Sequence, residues 1–94
     1  MASKYLYASP RGFANEFSIY RVAPEEITEA QAMIDAAADD PGRDVHWITR
    51  QEAERITAAN RKLAKERLEA GMSLRQNPVG ATEIIDFSQR GIGR

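Results

Sequence analysis

The chain has a single histidine, His46. The spacing Asp44-x-His46 would set both side chains on one face of an extended strand, the arrangement of a metal pair or a proton-transfer dyad. A protein metal site takes three or four ligands, and no third donor is fixed by spacing, so the pair reads as a strand-end histidine beside Trp47. A hydrolase triad would have to join His46 to an arbitrary serine such as Ser18, with no nucleophile elbow around it. The absence of cysteine excludes disulfides, thiolate zinc sites, iron-sulfur clusters and cysteine nucleophiles, and fits a reducing compartment. Gly91-Ile92-Gly93 carries two glycines of a phosphate-binding loop but neither its lysine nor a helix to follow it. These residues point to a protein that is not an enzyme and has no catalytic residues, bound metal or cofactor.

Charge is the more informative chemistry. Net charge is −1 over 94 residues, yet residues 23–44 hold seven acids against Arg43 alone, whereas residues 45–76 hold seven Lys or Arg against four Glu. Within the first segment, Glu25, Glu29, Asp35, Asp39 and Asp40 fall on one side of a helix, with no Lys or Arg between Val22 and Gly42. Asp39 and Asp40 also sit where a helix C-terminus favours positive charge. Folding alone gives little reason for such a row. Carboxylates spaced along a helix can imitate phosphates and meet a basic groove. Within the second segment Arg55, Arg61, Lys62 and Lys65 are the candidate nucleic-acid contacts, but Glu54, Glu66 and Glu69 share their arc, and a pI near 5.8 is far from that of a general nucleic-acid binder.

These groups are positioned by a simple succession of elements. Residues 4–8 read as a strand ended by Ser9-Pro10-Arg11-Gly12, and residues 17–22 as a second strand with Phe17 and Ile19 on one face. Tyr5, Tyr7 or Tyr20 beside Arg11 and Arg21 would make a stacking surface if they faced outward, but core packing accounts for most of the aromatics. Pro24-Glu25-Glu26 starts a helix running to about residue 39, with Ile27, Ala30, Met33, Ile34, Ala37 and Ala38 as its apolar stripe, and Asp40-Pro41-Gly42 ends it. A strand at 45–48 leads to Thr49-x-x-Glu52, a capping box, and to a long helix over 49–70 ended by Gly71. The apolar stripe of this helix reads as Ile56, Ala59, Leu63 and Ala70, flanked by Ala53 and Ala64. Asn60 and Arg67 fall inside it, which suggests an oligomer face. A last strand over 82–87 follows the turn Asn77-Pro78-Val79-Gly80.

The order β-β-α-β-α-β predicts an α+β fold with a small, mostly antiparallel sheet of about four strands and two helices packed on one face. One globular domain over 1–88 is expected, with 89–94 as a flexible tail. Nothing reads as a signal peptide or a membrane span, so the expectation is a cytoplasmic protein with no membrane partner. A chain this small gains from burying a further face, so a homodimer is expected as readily as a monomer.

The functional expectation is a non-catalytic protein-binding module whose acidic helix docks on the basic surface of a larger nucleic-acid-handling complex. Phage-encoded inhibitors of host defence, anti-CRISPR proteins among them, share this character of size and charge. A nucleic-acid-binding protein using the second helix and a small-ligand or nucleotide-binding oligomer are the alternatives.

Overall fold

The structure, a computed structural model, describes residues 2–9 and 16–90. Residues 10–15 of the first loop and Gly91–Arg94 lie outside the described residues, and with them Arg11, Phe13 and the Gly91-Ile92-Gly93 sequence. Strands β1 (Lys4–Ser9), β2 (Ser18–Val22), β3 (Asp44–Ile48) and β4 (Ile84–Asp86) form one sheet in the order β3-β1-β2-β4. Helices α1 (Ile27–Ala38) and α2 (Arg50–Glu69) fill the two long connections. The fold is α+β. The sheet is mixed: β1 pairs antiparallel with both β2 and β3, while the short edge strand β4 runs parallel to β2.

Register and alternation sort the strand side chains into two sets. Leu6 lies opposite Tyr20 and Trp47, Ala8 opposite Val45, and Lys4 opposite Val22. Leu6, Ala8, Tyr20, Val22, Val45 and Trp47, with Phe87, pack beneath Ala30 and Ala37 of α1, and Ile27, Met33 and Ile34 flank the same cluster. Trp47 Nε1 donates to Gln31 Oε1 at 3.0 Å, tying β3 to α1 on this face.

The other set contains Tyr5, Tyr7, Ile19, Arg21, His46 and Asp86, and this face carries α2, which packs against β1 and β4. Arg50 and Glu54 of α2 border one cleft with Tyr5, Arg21 and Asp86, and Ile19, Ala53 and Thr57 are almost wholly buried. The helices therefore cover opposite faces, and the expectation that both would pack on one face is corrected. The reason is in the strands. Ile19 and Ile84 on one face and Leu6, Val22 and Val45 on the other both need cover, and one helix cannot supply it.

Local signals set the helix ends. At α2, Glu52 N donates to Thr49 Oγ1 at 3.0 Å and Thr49 N to Glu52 Oε1 at 3.2 Å, the reciprocal bonds of the capping box. At its far end Gly71, with φ of 78°, lets Met72 N donate to Arg67 O and Gly71 N to Leu68 O, closing a Schellman motif. Pro24–Glu26 form a 3-10 turn leading into α1, and Phe87–Gln89 form another after β4. Gln89 and Arg90, expected in the tail, belong to this closing turn and its contacts. Among the described residues no helix is long and apolar enough to cross a membrane.

Candidate protein-binding surface

Ala30 and Ala37 anchor α1 to the sheet, and the positions half a turn away carry the acids. Glu29, Asp35 and Asp39 are exposed on the helix, Glu25 is exposed at the 3-10 entry in a cleft it shares with Arg21 and Asp86, and Asp40 is half-buried. Along the axis Glu29, Asp35 and Asp39 are separated by about 9 Å and about 6 Å. Their electrostatic states differ. Glu29 is ion-paired with Arg90, which arrives from beyond β4. Asp40 Oδ1 accepts a hydrogen bond from Gly42 N at 3.0 Å, an ordinary turn-closing role. Asp35 accepts from the neutral Gln31 amide one turn earlier at 3.0 Å. Among the described residues Glu25, Asp35 and Asp39 have no ion-pair partner. The absence of local cations left the row looking wholly unpaired in the sequence; the structure neutralises Glu29 from 61 residues away.

The cations of α2 are divided in the same way. Arg61 donates to Thr82 O at 2.8 Å, and Arg50 is bonded to Glu54 at 2.8 Å. Arg55, Lys62 and Lys65 are exposed and have no ion-pair partner among the described residues, but Glu66 and Glu69 stand between and beside them. Because α1 and α2 cover opposite faces, the four-stranded sheet stands between these cations and the free acids of α1.

Asn60 and Arg67 take part in the chain's own packing. Asn60 Nδ2 donates to Ala81 O at 2.8 Å, and Arg67 donates to Asn77 O at 2.7 Å and Pro78 O at 3.1 Å. The polar positions that suggested an oligomer face pin the 77–82 segment onto α2. They also turn the helix relative to expectation: Ala53, Thr57 and Ala64 are its buried residues, whereas Ala59 and Ala70 are exposed and Leu63 is 37% exposed.

His46 and Asp44 share a face as expected, with His46 Nδ1 2.7 Å from Asp44 Oδ1. The register adds what spacing could not show. Tyr7 stacks on His46 at 4.8 Å on one side and on Phe17 at 4.8 Å on the other, a three-ring ladder across the sheet. Burial chiefly, and the nearby Asp44 carboxylate, raise the Tyr7 hydroxyl above its usual value, while a hydrogen bond with Ser9 works the other way. Asp44 and His46 are joined by no third ligating side chain among the described residues. An open, largely apolar cleft lies beside Leu68 and Leu74.

No protein-family model, curated protein or solved structure matches the chain.

Proposed function

We propose that this chain is a non-catalytic protein-binding module that docks the outer face of α1 on a basic surface of a larger, nucleic-acid-handling partner. One observation carries the reading: Glu25 at the entry to α1, and Asp35 and Asp39 along its solvent side, are exposed without an ion-pair partner among the described residues, and the sheet separates α1 from the cations of α2. Such carboxylates repel one another weakly in the free protein and lose that repulsion against a cationic partner, which also gains on-rate from steering. A row of this spacing competes with phosphates for a basic groove, and inhibition of a cytoplasmic nucleoprotein complex is the use it suits best.

The second reading is direct nucleic-acid binding through Arg55, Lys62 and Lys65, favoured by their exposure and lack of ion pairs. Affinity capture from lysate, with and without nuclease, separates the two. The first predicts a captured protein that survives nuclease and is released by salt, and the second predicts capture that disappears with the nucleic acid. Capture of neither kind at low salt rejects both.

A further inference from the structure

We propose that the C-terminal half of α2 is a self-association surface, on which a second copy of the chain packs antiparallel about a two-fold axis close to Leu68. This contact lies on the α2 side of the sheet and is independent of the role assigned to α1.

The surface is apolar at its centre and charged on one flank. Leu68 is 58% exposed and Met72 is 40% exposed, the two most exposed large hydrophobic residues of the described chain. Gly71 and the Schellman bonds end the helix so that Met72 follows directly after the last turn. Beside Leu68, an open concavity of about 630 Å³ is lined by Ala64, Leu74 and Thr82, with Arg61, Lys65 and Glu69 around it. An exposed leucine next to an apolar hollow loses water from both when the leucine of another molecule enters the hollow.

The charges select the occupant. At 3.6 residues per turn, Lys65 and Glu69 lie about 60° and about 100° round from Leu68 in the same direction, one turn apart along the axis. Neither has an ion-pair partner among the described residues. In an antiparallel two-fold pair of helices, residues on the same flank meet across the axis, so Lys65 faces Glu69 of the second copy and Glu69 faces its Lys65. A partner of uniform charge would meet a like charge at one of the two positions. The mixed flank is complementary to itself, as an isologous contact requires. The buried residues of α2 are also small, Ala53, Thr57 and Ala64, so this face of the sheet has a thin cover that a second copy thickens.

Sedimentation velocity of the full chain, from low to high micromolar concentration, tests the proposal. The wild type is expected to rise in weight-average mass from one chain to two. Leu68→Glu is expected to stay monomeric over the same range with unchanged circular dichroism, since the site is exposed. Lys65→Glu and Glu69→Lys should each weaken the dimer by at least about fivefold, and the double swap should return it to within about threefold of wild type. The swap pair keeps the test decisive should Leu68→Glu disturb the fold. A wild type that stays monomeric, a dimer that survives Leu68→Glu, or a double swap no better than the single changes would overturn the proposal.

Discussion

Arg90 closes the molecule onto α1: its guanidinium pairs with Glu29 while lying 3.9 Å over the Phe87 ring and donating to Phe87 O at 3.0 Å. One side chain thus holds the last described turn and removes one negative charge from the outer side of α1. Arg90→Gln is expected to lower the unfolding free energy by about 1 kcal/mol, because it loses the ring contact and a half-exposed ion pair together. Urea denaturation measures this. Stability equal to wild type would mean that the closing turn is not held by Arg90.

The two glycines with positive φ predict unequal costs. A Cβ at Gly80, φ 84°, would sit 2.3 Å from Phe17 Cε1, whereas one at Gly71, φ 78°, meets nothing within 4 Å. Gly71→Ala therefore costs about 1 kcal/mol from backbone strain alone. Gly80→Ala adds displacement of a ring stacked on Tyr7 and should cost about 3 kcal/mol, measurable as a much larger fall in the denaturation midpoint. Equal costs would show that Phe17 yields freely.

The capping box gives a pH dependence. Hydrogen bonds from the backbone amide, and next the hydroxyl, of Thr49 hold the Glu52 carboxyl below its ordinary value of 4.5. A carboxyl depressed in the folded state contributes stability that is fully present above its unfolded pKa and is lost as pH falls through the folded one. Wild-type stability should accordingly fall below about pH 4.5 with a Glu52 component that Glu52→Gln lacks. Thr49→Ala removes the cap and costs about 1 kcal/mol at neutral pH. Stability-against-pH curves for the three proteins check both statements, and an unchanged acid limb in Glu52→Gln would contradict the first.

Elements governed by local chemistry were legible in the sequence. An aromatic-rich run before a proline-glycine turn located β1, period-two patterning located β2, the Pro24-Glu25-Glu26 and Thr49-x-x-Glu52 signals located the helix starts, and Gly71 located the end of α2. What the sequence concealed depends on partners distant in the chain. The sequence puts Asn60 and Arg67 inside the stripe of α2 together with Ala59, Leu63 and Ala70, but the helix exposes those three, buries Thr57, and gives Asn60 and Arg67 partners within the chain. Thr57 satisfies its hydroxyl on Ala53 O, and Asn60 and Arg67 meet carbonyls of the 77–82 segment. Apolar periodicity carries no record of such acceptors. The same limit hid the Arg90–Glu29 pair and the Phe17–Tyr7–His46 ladder, which exists only once β1 is in register with β3. The assignment of helices to opposite faces likewise needed the strand order, because each strand face by itself looks apolar enough to take both.

The central claim is that the free carboxylates of α1 make the docking surface, and a charge-reversed variant tests it most directly. Glu25→Lys, Asp35→Lys and Asp39→Lys together replace three exposed acids that make no ion pair among the described residues, so folding should be retained. Affinity for the nuclease-resistant partner captured by the wild type is then compared at low and high salt. The account predicts a loss well over about tenfold at low salt, narrowing as salt rises. Equal affinity of the two proteins at low salt would contradict it.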